Sequence, residues 1–297
     1  MKQIAIVSGK GGTGKTTLSG SLAYLFNDHI MADCDVDAPN LHLLLNTEKE
    51  ESYEFYGNKK AEITDKCVGC GRCLINCRFD AIVPGDIYEV DEYACEGCGV
   101  CKLVCPADAV NLNDCKSGDY YYSSGENISF CHALLLPGEE TSGGLVAEVR
   151  KLAQKKSEEE NRDVILIDGA PGIGCAATSS IVGVDFAIIV TEPTVSGIHD
   201  LERIVDTVRN LRTEPYVVIN KSDINEEKKA EIEKWCEEEK IEILGCIPFD
   251  EEVVKASRSS QPVIYMKDSI SAKKIENIYN KILNKIIGGK KWKLQYQ

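Results

Sequence analysis

"IVSGKGGTGKTT", residues 6–17, decides the fold. A short apolar run stops at Ser8, glycines fill positions 9, 11, 12 and 14, and a helical pattern runs from Lys15 to Phe26. Gly9 through Thr16 fits G-x-x-x-x-G-K-[ST] in the strand-then-helix setting that this phosphate-binding loop requires. The glycines let backbone N–H groups curl round phosphate oxygens, and the helix N-terminus adds partial positive charge. Gly9, Gly11, Gly12, Thr13, Gly14, Lys15, Thr16 and Thr17 are therefore expected nucleotide contacts. Lys15 reaches the β- and γ-phosphates, and the Thr16 hydroxyl ligates Mg²⁺.

Working outward, the same grammar recurs. Short runs, apolar on both faces, appear at 3–7 (QIAIV), 30–33, 163–170 (DVILIDGA), 185–193 (DFAIIVTEP), 215–223 (PYVVINKSD) and 241–249 (IEILGCIPF). Helix-length segments at 143–156, 197–211, 225–239 and 271–287 alternate with them. Such runs belong to a mostly parallel sheet with helices on both faces, an α/β phosphate-loop NTPase fold. Residues 46–126 break the rhythm, being rich in Cys, Gly, Asp and Tyr. One α/β ATPase domain at 1–59 and 118–297, carrying an insert at 60–117, is expected.

The insert has its own signature. Cys67, Cys70, Cys73 and Cys77 follow C-x₂-C-x₂-C-x₃-C, and Cys95, Cys98, Cys101 and Cys105 repeat it, followed by Pro106. This is the two-cluster bacterial ferredoxin pattern, in which the fourth cysteine of each run serves the other cluster. One [4Fe–4S] cluster is expected on Cys67, Cys70, Cys73 and Cys105, the other on Cys77, Cys95, Cys98 and Cys101. Zinc also uses paired C-x₂-C, but it has no need of four cysteines in each half. Arg78 stands where a proline usually follows the fourth cysteine; it removes no ligand. Cys34, Cys115, Cys131, Cys175, Cys236 and Cys246 are isolated, and lone cysteines usually behave as small buried hydrophobes.

With 34 basic and 48 acidic residues the chain carries −14, which argues against nucleic-acid binding, since that needs clustered cations. The N-terminal apolar run ends at the glycine loop, so no signal peptide is expected. No stretch reaches the ~18 apolar residues of a membrane span. A cytoplasmic, reducing setting follows, where 14 cysteines read as metal ligands before disulfides. Ile275, Ile278, Ile282 and Ile286 are expected to pack the last helix on the sheet, and the basic tail "KKWKLQYQ" (290–297) is not expected to anchor a membrane. His132 reads as a packed residue.

Lys10 adds a family resemblance. "KGGTGKTT" (10–17) resembles the deviant Walker A signature of the MinD/ParA/nitrogenase-iron-protein class of P-loop ATPases. The resemblance implies that Lys10 crosses a dimer interface to the partner's nucleotide. "DCDVDAPN" (33–40) looks like switch I of that class, which implies that Asp35 orients the attacking water; Asp33 and Asp37 read as structural carboxylates. "DGAPGIG" (168–174) looks like switch II, which implies that Asp168 holds Mg²⁺ through water. "NKSD" (220–223) resembles the adenine-recognition stretch, with Asn220 at the base. "IPFDEEVVKASRSSQPVI" (247–264) resembles the class's C-terminal region, implying that Pro248 and Asp250 line the base pocket. Catalysis would then rest on Lys10, Lys15, Asp35 and Asp168, which suits a reaction that needs positioning and charge rather than a covalent nucleophile. Cys175 lies at the offset where the nitrogenase iron protein carries a cluster cysteine, but "PGEETSGG" (137–144) lacks the second one, so no bridging cluster is expected.

With "FCHALLLPGEETSGGLV" (130–146), nearly the whole chain resembles MinD-superfamily ATPases with an inserted ferredoxin domain. An insertion just after switch I attaches clusters to the part of an ATPase that responds to the γ-phosphate. The expected cofactors are ATP or ADP, Mg²⁺ and two [4Fe–4S] clusters. The expected activity is an ATP-hydrolysing switch, dimeric with itself or a paralogous subunit, that gates electron transfer to a partner metalloprotein. An iron–sulfur or heterometal cluster carrier or assembly ATPase is the alternative, and a positioning ATPase of the MinD/ParA kind is the third.

Overall fold

A computed structural model describes residues 1–26, 28–139 and 142–286. In chain order the elements are β1 (Lys2–Val7), α1 (Lys15–Leu25), β2 (His29–Asp33), β3 (Glu48–Ile63), α2 (Arg72–Asn76), β4 (Ile82–Val83), β5 (Glu89–Val90), α3 (Val100–Leu103), β6 (Val110–Gly125) and β7 (Ile128–Leu135). They continue as α4 (Ser142–Glu159), β8 (Val164–Asp168), α5 (Cys175–Ile181), β9 (Phe186–Thr191), α6 (Val195–Asn210), β10 (Glu214–Asn220), α7 (Glu226–Glu238), β11 (Glu242–Ile247), α8 (Glu251–Arg258) and α9 (Ile270–Lys281).

Nine strands form one sheet in the order β11-β10-β9-β1-β8-β2-β7-β6-β3. β1 pairs in parallel with β8 and β9, β2 with β8 and β7, and β10 with β9 and β11. This is the mostly parallel α/β architecture that the apolar runs imply. Residues 46–126, where periodicity points to no element, include β3 and β6, strands of 16 residues each.

The chain divides into two compact units. One comprises Met1–Ser52, Tyr120–Leu134 and Ser142–Gln297; the other comprises Tyr53–Asp119 and Leu135–Thr141. In the first, Ile4, Ile6, Leu166 and Ile188 share a cluster with Leu18 and Leu22 of α1 and with Ile275 and Ile278 of α9. Their sequence neighbours Ala5, Ile165, Ile167 and Ile189 are equally buried, as strands covered on both faces require. Gly245 of β11 makes room for α9: a Cβ there would lie 2.6 Å from Ile278. Ile282 is buried as well; the tail 290–297 falls outside the described residues. No helix among the described residues is long and apolar enough to cross a membrane.

The second unit is built differently. β4 and β5 form an antiparallel pair, and α2 packs against α3. Its buried cluster is Ala61, Ala81, Cys95 and Val110, with Ile63, Val90, Ala94 and Leu112 and with Cys77, Cys101 and Cys105 packed around it. A core of small residues and thiols supplies little hydrophobic stabilisation, and small units of this kind depend on an added cross-link or bound group.

Two buried histidines of the first unit make its stability depend on pH. Burial, then the charge of Arg162, pushes His29 down to about 4, against a smaller opposing pull from the Phe26 backbone. Burial, then Lys49 and His42, pushes His132 down to about 4 as well. Between pH 6.5 and 4 the unfolded chain binds more protons than the folded one, so stability should be full above ~6.5 and fall with acidification through that window. The expected loss is on the order of 3 kcal/mol per histidine. Urea melts at stepped pH should show the fall, and His29→Leu should flatten it; an unchanged slope would show that His29 charges freely in the fold.

Candidate functional site

The strands of a parallel sheet end together, and their carboxyl ends are where such folds bind ligands. Asp33 ends β2, Asp168 ends β8, Asn220 ends β10, and Glu192 follows β9. The loop after β1 meets them. Register places Asp168 beside Ile6 on one side and Asp33 on the other.

Asp168 is fully buried and anchors the start of α1. Its Oδ1 accepts from Lys15 Nζ at 2.9 Å and from Ser19 Oγ at 2.7 Å; its Oδ2 accepts from Thr16 Oγ1 at 3.0 Å. Burial works against the Lys15 ammonium, but Asp168, with Asp33 and Asp35, holds its pKa above the ordinary lysine value. Asp33 is buried and accepts the backbone N–H of Asp35 at 3.0 Å and of Leu41 at 3.3 Å. Burial, then the Asp168 charge, pushes the Asp33 carboxyl up. Burial raises the half-buried Asp35 in the same direction.

A cleft of about 680 Å³ opens above this pair, lined by Gly11, Gly12, Thr13, Gly14, Lys15, Thr16, Thr17, Asp35, Asp37, Pro171 and Cys175 among others. The chemistry is that of a phosphate site: α1 points its N-terminus into the cleft beside a buried cation, with a hydroxyl–carboxylate pair of hard oxygens suited to Mg²⁺. Gly14 must be glycine, since its φ is 90° and a Cβ would meet Asn220 Nδ2 at 2.1 Å. That amide instead donates to Thr13 O at 2.7 Å.

Other expected residues lie apart from the cleft lining. Gly9 and Lys10 face a small depression with Gly197 and Asp200. Lys10 Nζ donates to Ser196 Oγ at 3.0 Å and lies 3.9 Å from Glu192. Both oxygens of Asp250 are engaged: Oδ1 accepts from Glu252 N at 2.9 Å, and Oδ2 from Ser269 Oγ at 2.6 Å and Ser271 N at 3.0 Å. Pro248 O accepts from Ser271 Oγ at 3.2 Å. Two partners escape sequence reading. Ser19 stands one helical turn past Lys15, a spacing that periodicity could reveal. Glu192 pairs with Lys221 at 2.9 Å, and only its place after β9 hints at that.

In the second unit the eight motif cysteines line two separate cavities. Cys67, Cys70, Cys73 and Cys105 line one, with Ile63, Val68, Tyr88 and Val110. Cys77, Cys95, Cys98 and Cys101 line the other, with Ala61, Phe79, Ala81 and Ile82. Each set takes three cysteines from one run and the fourth from the other. Gly69 and Gly97, at matching places in the two runs, adopt φ of 66° and 63°, so the backbone turn is repeated too. Ala61 N donates to Cys95 Sγ at 3.5 Å, and Ala109 N to Cys105 Sγ at 3.3 Å. Backbone N–H groups of Tyr88 and Gly69 lower the Cys67 thiol, whereas burial raises Cys73 and Cys101. No three His, Cys, Asp or Glu side chains among the described residues converge on a single-ion site.

A family model described as the CobQ/CobB/MinD/ParA nucleotide binding domain matches residues 4–263. An uncharacterized protein of Methanocaldococcus jannaschii is 36% identical over 285 residues, covering 94% of this chain and 96% of that protein. The iron–sulfur cluster carrier protein of Pyrococcus abyssi is 25% identical, covering 96% and 86%. In fold, the chain is similar to the septum site-determining protein MinD from Pyrococcus horikoshii, complexed with Mg-ADP, with TM-score 0.61 over 97% of each chain at 21% identity.

Removing one member of a buried ion pair strands the other. Asp168→Ala should cost about 3–5 kcal/mol in nucleotide-free denaturant melts, because Lys15 is left buried and unpaired. Adding Lys15→Met should recover most of that loss. A single-variant loss below about 1 kcal/mol would mean that water reaches Lys15.

Proposed function

This chain belongs to the CobQ/CobB/MinD/ParA nucleotide-binding family, and on that premise we propose that it is a dimeric ATP-driven switch governing electron transfer through two [4Fe–4S] groups to a partner metalloprotein. That it is a P-loop ATPase follows from the family. The redox half of the proposal rests on one observation: the crossed lining of two cavities by Cys67, Cys70, Cys73 and Cys105, and by Cys77, Cys95, Cys98 and Cys101. The scant apolar core around them supports it, since such a unit calls for a bound group as a staple.

In this reading Lys15 exchanges Asp168 for the β- and γ-phosphates when ATP binds, and α1's N-terminus shares the load. Thr16 would ligate Mg²⁺, and Asp168, which accepts from its hydroxyl here, would hold the ion through water. Asp35 orients the attacking water. Lys10 leaves Ser196 and reaches the nucleotide of a second copy or a paralogous subunit. The eight cysteines would hold the iron–sulfur groups, with the N–H groups of Ala61 and Ala109 donating to the sulfurs of Cys95 and Cys105 and small apolar side chains limiting water. When bound, those groups supply one-electron transfer. The stretch 33–40 leads in sequence through β3 to Cys67, which gives nucleotide state a direct route along the chain.

The similarity to the Pyrococcus abyssi iron–sulfur cluster carrier supports a second reading, in which the groups are cargo handed to an acceptor. Anaerobically purified protein should carry about eight irons per chain, retained through turnover. Zinc in their place, or about half that iron, overturns the two-cluster assignment; loss of iron to an apo-acceptor on ATP hydrolysis selects the carrier.

The nucleotide half has its own test. Lys15→Ala should abolish nucleotide binding, whereas Lys10→Ala should spare it yet lower turnover and ATP-dependent dimerisation. Equal loss of binding in both variants would keep Lys10 within its own subunit. Joining the halves, couplings between sites are typically about 1–3 kcal/mol, and about 59 mV corresponds to tenfold for one electron. Redox titrations of ATP-trapped Asp35→Asn and of the ADP form should therefore differ by several tens of millivolts or more; equal midpoints sink the gating.

A further inference from the structure

We infer that Glu192 is a positioning residue for the ATP switch: a counter-ion shared by Lys10 and Lys221, which holds Lys10 at rest and stays paired once Lys10 departs. The inference rests on the reading above in which Lys10 reaches the nucleotide of a second subunit. Sheet order creates the arrangement. β9 lies between β1 and β10, so a residue just past its end is flanked by the loops that leave both neighbours. Lys10 comes from the loop after β1, and Lys221 follows Asn220 at the end of β10. Glu192, whose side chain is 10% exposed, turns one oxygen toward each. Oε1 accepts from Lys221 Nζ at 2.9 Å, and Oε2 lies 3.9 Å from Lys10 Nζ.

Glu192 and Lys221 are fixed in place. Glu192 O accepts from Thr194 N at 2.8 Å, and it lies so close to the first turn of α6 that a Cβ at Gly197 would stand 2.2 Å from it. Lys221 adopts φ of 49°, a left-handed conformation that a lysine keeps only where its contacts hold it. Its Nζ also donates to Gly12 O at 3.3 Å, which ties it to the phosphate loop. Lys10 is held less firmly. Its nearer partner is the neutral Ser196 Oγ at 3.0 Å, and Asp200, which lines the same depression, makes no ion pair with it among the described residues. Two ammonium groups thus face one carboxylate, and the distances make Lys10 the surplus one. A nearly buried carboxylate with a single cation would be stranded when that cation left. Lys221 removes that cost, and the departure of Lys10 relieves the repulsion between the two ammonium groups.

Two measurements separate the contact from its consequence. In nucleotide-free full-length protein, Lys10 is labelled with trace acetic anhydride, and its acylation rate is read by peptide mass spectrometry. An ion-paired ammonium keeps its proton and reacts slowly. Glu192→Gln should speed Lys10 acylation about two- to fivefold, the range expected of a partly exposed ion pair. Lys221→Met should slow it, because Lys10 becomes the sole cation beside Glu192. ATP-dependent dimerisation is then followed by sedimentation in the Asp35→Asn background, where ATP persists. Adding Lys221→Met should weaken dimerisation about tenfold or more, since Lys10 can now leave only by stranding Glu192. Adding Glu192→Gln to that variant should restore most of the loss, which a purely structural role of Lys221 would not allow.

Acylation of Lys10 that is indifferent to Glu192→Gln overturns the inference. So does a dimerisation defect in Lys221→Met that Glu192→Gln fails to restore, which would mean that Lys221 acts through Gly12 and the loop alone. Should Glu192→Gln fold poorly, the labelling of Lys10 in Lys221→Met decides: slower acylation supports the shared counter-ion, and unchanged or faster acylation overturns it. Acylation that responds as expected, in a protein whose Lys10→Ala variant still dimerises with ATP as the wild type does, sinks the reading in which Lys10 crosses to a second subunit and this inference with it. Dimerisation that requires Lys10 yet ignores Lys221 sinks this inference alone.

Discussion

A lysine buried beneath a phosphate loop needs a carboxylate, and the position of Asp168 follows from that need. Burying an unpaired ammonium costs several kcal/mol, so Lys15, Thr16 and Ser19 on one helix all converge on one buried side chain at the end of β8. The pair fixes α1 over the sheet and aims the helix N-terminus into the cleft. It also brings Asp33 and Asp35 close enough to share the field of the same lysine. The site is therefore under tension before any ligand arrives. Carboxylates crowd one cation that the incoming phosphates also require.

The second unit answers to another constraint. Its buried cluster is two alanines, a valine and a cysteine, edged by Ile63, Val90, Ala94 and Leu112, a small apolar core for a unit of this length. Thiols occupy the places that leucine or isoleucine would fill in an ordinary core. Ile63, Val90 and Leu112 pack on that cluster, while Ile75 and Leu103 are left outside. What would be a packing defect in a simple domain is coherent if the interior is reserved for chemistry.

Much of this was legible in the sequence. β1, β2, β8, β9, β10 and β11 announce themselves because strands covered on both faces are continuously apolar, and α1 because the loop motif demands it. β3 and β6 were not legible. "EKEESYEFYGNKKAEI" (48–63) alternates charge with aromatic or small residues and is largely exposed, so its strand period is masked by charge. α5 and α8, of seven and eight residues, are too short for periodicity to reveal. Motif spacing singles out Lys15, Thr16 and the eight cysteines, and the fold sets the first two on one cleft and the cysteines on two cavities. Ion pairs between strand ends, such as Glu192 with Lys221, depend on which strands become neighbours, and no local pattern carries that.

The crossed lining of the two cavities has a consequence for the history and engineering of the unit. A tandem duplication normally leaves two copies that can be pruned back to one. In this unit each copy has lent its last cysteine to the other, Cys77 one way and Cys105 the other. Deleting either half leaves the survivor with three walls of its own and one orphan that faces nothing. The loan makes the repeat irreversible: the pair can be lost or kept, but it can no longer be halved.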